Sequence, residues 1–288
     1  MDINRRNALK LTAGMSLGLL SPLWQSVLAQ PEKRRFYIGA CDWSIHATAQ
    51  IEAMEVAKKI GLDGVQISLG TFKNNMHLRQ KEIQKAYQKA GKTHGVQVGG
   101  IAIGELNQYP YKSDPQTERW VSDSITVAKK MGVKVVLLAF FSKGDLKNDL
   151  QGQKAVIEKL KKITSKAEKA GVILGIESWL SAKESMEIIN AVGSKNVKVY
   201  YDVANATQMG YDILKEIRWL GKEQICEFHF KENGLLLGKG NIDFVEVRKA
   251  IDDINFEGWV HIEGAVPQGA QMLESYVENN KFVRGILS

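Results

Sequence analysis

Two cysteines in 288 residues, Cys41 and Cys226, are too few to build a disulfide framework. Both fall inside apolar strand-like runs, where a buried free thiol is the expected state. No Gly-x-Gly-x-x-Gly follows the first such run, and no glycine-rich phosphate cradle appears elsewhere. That absence argues against an open dinucleotide-binding sheet. An uninterrupted apolar run of the ~20 residues that a membrane span needs is also missing. The N-terminal candidate, from Leu11 to Leu28, is broken by Gly14, Ser16, Gly18, Ser21 and Pro22. The basic excess is modest, a formal +7, and the lysines recur at helical spacing, as between Lys154 and Lys169. Such spacing describes solvated helix faces rather than a nucleic-acid patch, so no nucleic-acid partner is expected.

What is present begins with Arg5-Arg6-Asn-Ala-Leu-Lys10, which precedes the diluted apolar stretch, and Val27-Leu28-Ala29, which ends it. A basic start, an apolar middle and a small residue at the end form an export signal, and the paired arginines give it a twin-arginine character. Residues 1–29 are therefore expected to be a signal cleaved after Ala29, with an N-terminal anchor as the alternative. The expectation is an exported, periplasmic protein without stable membrane association after cleavage. A twin-arginine route carries folded proteins and suits one that takes up a metal before export. Removing 29 residues leaves 259, with +5 of the net charge, because Asp2, Arg5, Arg6 and Lys10 together carry +2. That length suits one α/β barrel of ~250 residues over 30–288, with no second domain.

From Phe36 onward, apolar strand-like runs alternate with amphipathic helical segments. The strands are expected at 36–42, 64–69, 96–103, 133–141, 172–177, 197–202, 225–230 and 259–263. Helices are expected at 51–60, 81–92, 117–131, 154–170, 182–192, 210–220, 244–254 and 271–287. Gly61, Gly95, Gly132, Gly171 and Gly221 stand where left-handed caps would end five of these helices. The handover from helix to strand repeats as Lys59-Ile-Gly-Leu62, Lys130-Met-Gly-Val133 and Lys169-Ala-Gly-Val172. Strands followed by helices demand parallel pairing with right-handed crossovers. Eight such units predict a (β/α)8 TIM barrel, with its site at the C-terminal strand ends. An open doubly wound sheet is the alternative architecture.

Four consecutive strand-like runs end in a ligand-type residue. They are Val172-Ile-Leu-Gly-Ile-Glu177, Val197-Lys-Val-Tyr-Tyr-Asp202, Ile225-Cys-Glu-Phe-His229 and Trp259-Val-His-Ile-Glu263. Taken singly, an acid at a strand end is as readily a helix cap, and His229 between two phenylalanines is as readily core. Taken together, three carboxylates would crowd at one barrel mouth, which is unfavourable unless a cation lies between them. The set predicts one divalent metal site made of Glu177, Asp202, His229 and Glu263. Three oxygen donors and one imidazole favour Mn²⁺ first, with Mg²⁺, Co²⁺ and Zn²⁺ as alternatives.

These residues carry a family resemblance over 34–288. Leu174-Gly-Ile-Glu177, Tyr201-Asp-Val-Ala-Asn205, Phe228-His-Phe-Lys-Glu232, Leu237-Gly-Lys-Gly-Asn-Ile-Asp243 and Glu257-Gly-Trp-Val-His-Ile-Glu263 resemble the xylose isomerase-like sugar phosphate isomerases and epimerases. The resemblance implies that Glu177, Asp202, His229 and Glu263 hold the metal and that Glu177 and Glu263 double as acid and base. A ketose epimerase of this kind often has histidine where this chain has Asn205. The DNA-repair endonucleases of the same superfamily need histidines that are absent at Asn205 and in Gly234-Leu-Leu-Leu-Gly-Lys-Gly240.

The implied chemistry is enolisation of an α-hydroxy-carbonyl sugar, in which Glu177 or Glu263 removes the proton beside the carbonyl. Returning it to the opposite face epimerises the sugar, and moving it to the neighbouring carbon isomerises it. Lys231 shares the inward direction of His229 and is a candidate to steady an oxyanion. Asn205, His46 and Glu105 are further candidates for substrate contacts, and Trp43 and Trp179 for apolar walls. Each of these has a plainer reading as a rim, cap or packing residue. His261, two residues before Glu263, is expected to point into the barrel below the metal.

The export signal favours an unphosphorylated sugar or glycoside as the small-molecule partner. A 3-keto-glycoside lyase or hydrolase using the same proton abstraction is the alternative. A reading of another class is an exported carbohydrate-binding protein without activity. The resemblance also leaves a homodimer open.

Overall fold

The computed structural model describes residues 34–288, and Arg34–Ser288 form one compact unit. The expected export signal and its cleavage point lie outside the described residues. Eight strands carry the architecture: β1 Phe36–Cys41, β2 Gly64–Ser68, β3 Gln97–Ile103, β4 Val135–Phe140, β5 Ile173–Ser178, β6 Val197–Asp202, β7 Ile225–Phe230 and β8 Gly258–Ile262. They close in sequence order into a barrel, and β8 pairs parallel with β1. The expected TIM barrel is the observed fold.

Helices α1 Ala53–Ile60, α2 Lys81–His94, α3 Gln116–Met131, α4 Leu150–Ala170, α5 Ala182–Val192, α7 Ile213–Gln224, α8 Phe244–Asp253 and α9 Met272–Leu287 alternate with the strands. A short α6, Val203–Gln208, follows β6 directly and was not expected. It exists because Asp202 accepts from the backbone N–H of Ala204 and Asn205, at 2.7 and 2.8 Å. Two other starts move for the same reason. Asp149 accepts from Gly152 N and begins α4 at Leu150, and Asp212 accepts from Lys215 N and begins α7 at Ile213. Gly132 takes the expected left-handed cap (φ 74°, ψ 18°). Gly221 does not: at φ 64° and ψ 173° it kinks α7 instead of ending it.

The period of two along each strand divides the residues between two environments. Phe228 and Phe230 point outward into the layer between sheet and helices, where both are fully buried. Each contributes roughly 1.5–3 kcal/mol through that burial. Their neighbours Glu227 and His229 therefore point into the barrel. The interior is divided in turn. Ala102, Val135, Leu137, Ala139 and Tyr200 form an apolar cluster mainly on β3 and β4. The remaining strands contribute Gln66, Glu177, Asp202, Glu227, His229 and His261, all buried. Room for the His261 ring comes from Gly39 and Gly99, where an added Cβ would meet ring atoms at 2.4 and 2.8 Å. Register sets Asp202 beside His229 and His229 beside His261 on adjacent strands.

Candidate metal centre and substrate cavity

β5, β6 and β7 bring Glu177, Asp202 and His229 to the C-terminal mouth, and Glu263 stands one residue beyond β8. His229 Nδ1 faces all three carboxylates, at 2.9 Å from Glu177 Oε1, 3.6 Å from Glu263 Oε2 and 4.0 Å from Asp202 Oδ2. One ligand atom from each of the four lies within 4.8 Å of the others. His229 is fully buried, and Glu177 and Asp202 are nearly so.

Asp202 answers the capping question by doing two jobs. Its Oδ1 caps α6, while its buried Oδ2 takes no hydrogen bond and points toward His229. A buried carboxylate oxygen without a partner is costly unless something else satisfies it.

The electrostatics are those of a site that calls for positive charge. Burial, together with Glu263 and Glu177, pushes the Asp202 carboxyl up to about 7, with Lys231 opposing. For Glu263, burial is outweighed by His229 and Lys231, which hold the carboxyl down at about 2. The donor set of three carboxylate oxygens and one imidazole nitrogen therefore fits a hard or borderline divalent cation. Cys41, His229 and Glu263 make a second grouping. Burial pushes the Cys41 thiol up to about 12, and its sulfur lies 3.3 Å from Nε2 of His229 rather than beside Nδ1, the nitrogen that faces all three carboxylates. The four-residue set is the better fit.

A cavity of about 620 Å³ opens above the cluster, with Glu177 and Glu263 in its lining. Trp43 donates from Nε1 to Glu263 Oε1 at 2.8 Å, and its ring meets His229 edge-on. Lys231 Nζ reaches Glu263 Oε2 at 3.1 Å and Asp202 Oδ2 at 3.9 Å. Asn205 is buried at the start of α6 and lines the cavity. Trp179 lines the wall beside Phe141, and Tyr211 Oη fixes its backbone by donating to its carbonyl. Glu105 also lines the cavity, half-buried, though its Oε1 already accepts from Phe72 N. His46 stands apart: it is exposed, sits at φ 56° and is not in the lining. A strand-exit loop alone could not tell it from the inward positions.

His261 is buried below the cluster, stacked on Trp259, with its Nε2 3.5 Å from Glu227 Oε2. Three interior residues escaped the sequence reading: Gln66, Tyr200 and Glu227. The signal for Glu227 was available, since it precedes His229 by two residues and so shares its face. Gln66 was the polar residue inside Gly64-Val-Gln-Ile-Ser68.

The chain belongs to the xylose isomerase-like TIM barrel family, which it matches over residues 54–284. It is 28% identical to a D-psicose 3-epimerase of Enterocloster bolteae, over 43% of this chain and 44% of that protein. The match thus spans less than half the length of that curated relative. Among solved structures, a D-psicose 3-epimerase crystallised with D-fructose superposes with a TM-score of 0.74 at 19% identity, covering 87% of this chain and 99% of the other. A 3-keto-D-glucoside 4-epimerase from E. coli gives 0.71 at 14% identity, over 88% and 100%. At these identities the superpositions establish the fold. The sequence relatives include the D-psicose 3-epimerase of Enterocloster bolteae and a probable L-ribulose-5-phosphate 3-epimerase of Mycoplasma pneumoniae, which supports an enzyme.

Proposed function

We propose that the protein is a divalent-metal-dependent sugar epimerase or isomerase, acting on an unphosphorylated α-hydroxy-carbonyl sugar. The observation that carries this reading is the position of Glu177 and Glu263. Both border the cavity and the ligand cluster, yet they stand on β5 and just past β8, three places apart in the ring of strands. They can therefore approach a bound sugar from two sides. A divalent cation in the cluster, Mn²⁺ by preference, supplies the Lewis acidity that makes a C–H beside a carbonyl acidic.

The chain's own groups then divide the work. One glutamate takes the proton and the other returns one. Lys231 and the Trp43 indole hold the two oxygens of Glu263 in place. The charged groups of the lining are Glu105, Glu177, Glu263 and Lys231, and the one base among them is already paired with Glu263. Among the described residues, a phosphate dianion would find no unpaired cationic side chain there, which supports an unphosphorylated substrate. The expected twin-arginine export to the periplasm points the same way.

A second reading is a 3-keto-glycoside lyase or hydrolase working through the same proton abstraction. The aromatic walls of Trp43, Phe141 and Trp179 around a cavity of about 620 Å³ favour it. Incubating the Mn²⁺-loaded protein with free ketoses and 3-keto-glucosides, followed by product identification, separates the two. An epimer or isomer supports the first reading, and release of the C1 substituent supports the second. No turnover of either panel favours a carbohydrate-binding protein.

A further inference from the structure

Beneath the ligand cluster, a file of polar side chains descends into the barrel that proton transfer to substrate does not use. It starts at His229, whose Nε2 lies 2.9 Å from Gln66 Oε1. The amide Nε2 of Gln66 donates to Tyr200 Oη at 2.9 Å, and the Glu227 carboxyl is the next polar group of the file, interacting with Tyr200. All four residues are at most 2% exposed. Gly100 keeps the adjoining wall open, since a Cβ there would stand 3.3 Å from Gln66 Nε2 and 3.2 Å from Glu227 Oε2.

The order of donors along this file has a consequence at its upper end. The Tyr200 hydroxyl accepts from the Gln66 NH₂ group. That fixes the amide with Oε1 toward His229, where the Cys41 thiol is a second donor at 3.4 Å. An amide oxygen accepts only, so the imidazole must carry a proton on Nε2. In the neutral ring the lone pair is then on Nδ1, the nitrogen that faces Glu177, Asp202 and Glu263, and a cation there takes the place of the Nδ1 proton that otherwise meets Glu177 Oε1 at 2.9 Å. A reversed amide would draw the proton to Nδ1, between the carboxylates, where it would compete with a cation.

We propose that Gln66, oriented by Tyr200, is a positioning residue that holds His229 in the tautomer able to ligate a divalent cation through Nδ1. The proposal rests on the reading that the four-residue cluster holds a metal. Outer partners of metal-bound histidines are worth roughly 10–100-fold in metal affinity.

The test is titration of Mn²⁺ into the EDTA-treated protein, followed by calorimetry and by the electron paramagnetic resonance signal of free Mn²⁺. Gln66→Leu and Gln66→Met, which fill the space without an amide oxygen, are expected to bind Mn²⁺ about 10–100-fold more weakly. Gln66→Glu, which restores an acceptor, is expected to recover most of that loss. Tyr200→Phe, which frees the amide to turn, should weaken binding less than Gln66→Leu. Wild-type affinity in Gln66→Met, with only a lowered melting temperature, would overturn the proposal and leave Gln66 a packing residue. If the wild-type protein takes up no Mn²⁺, the metal reading fails, and the His229 Nε2–H resonance still tests Gln66. That proton should be protected from solvent exchange in wild type and lose protection in Gln66→Met; equal protection in both would overturn the proposal.

Discussion

Trp43 donates its indole N–H to Glu263 Oε1 at 2.8 Å, so a residue of the loop after β1 sets the direction of a carboxylate just past β8, across the seam where the barrel closes. Lys231 holds the other oxygen. Hydrogen bonds to charged groups are worth about 1.5–3 kcal/mol. Trp43→Phe keeps an aromatic wall but removes the donor, and should lower kcat/KM by about 10- to 100-fold. Mn²⁺ stoichiometry should stay unchanged. Steady-state kinetics beside metal analysis checks this, and unaltered kinetics would remove Trp43 from the site.

Asp202→Asn separates the cost of the cluster from its use. The amide oxygen can still cap α6, while one of three crowded carboxylates loses its charge. Metal-free protein should melt higher than wild type because like charges no longer repel. Mn²⁺ affinity should fall by more than ~100-fold, beyond the loss of an outer partner. Scanning calorimetry in EDTA and in Mn²⁺ reads both. A variant less stable than wild type in EDTA would show that the carboxylates are not in conflict.

Asp42 ties down the loop that carries Trp43, accepting from Ser68 N, Ser68 Oγ and Ala49 N. Burial pushes its carboxyl up from 3.8 to about 6, against those hydrogen bonds. Between these values the folded chain keeps a proton that the unfolded chain releases, so stability falls as pH rises through the window. The stability advantage of wild type over Asp42→Asn should therefore be largest near pH 4 and shrink toward pH 6. Urea unfolding across that range measures it. An advantage that grows with pH would contradict the assignment.

The barrel was legible in the sequence because strand and helix periods alternate without a break and glycines mark most handovers. The ligand quartet was legible because its members recur one to a unit at strand exits. What the sequence hid depends on facing. Asp202 is both cap and candidate ligand because its two oxygens look different ways, and residue type alone cannot show that. Gln66 reads as a lone polar residue in an apolar run until β2 is closed against the rest of the barrel. His46 shares its strand-exit position with true cavity residues, but its backbone turns it to solvent.

In the proposed reaction Glu177 and Glu263 move a proton at the carbon beside a sugar carbonyl, above a metal that Glu177, Asp202, His229 and Glu263 would hold. Solvent deuterium incorporation, followed by NMR, tests it most directly. The Mn²⁺-loaded wild type would be incubated in D₂O with each free ketose and 3-keto-glucoside of the panel. The expected result is deuterium at the α-carbon of at least one substrate, abolished by Glu263→Gln and by removing the metal with EDTA. Full exchange in Glu263→Gln, or exchange indifferent to EDTA, would contradict the account.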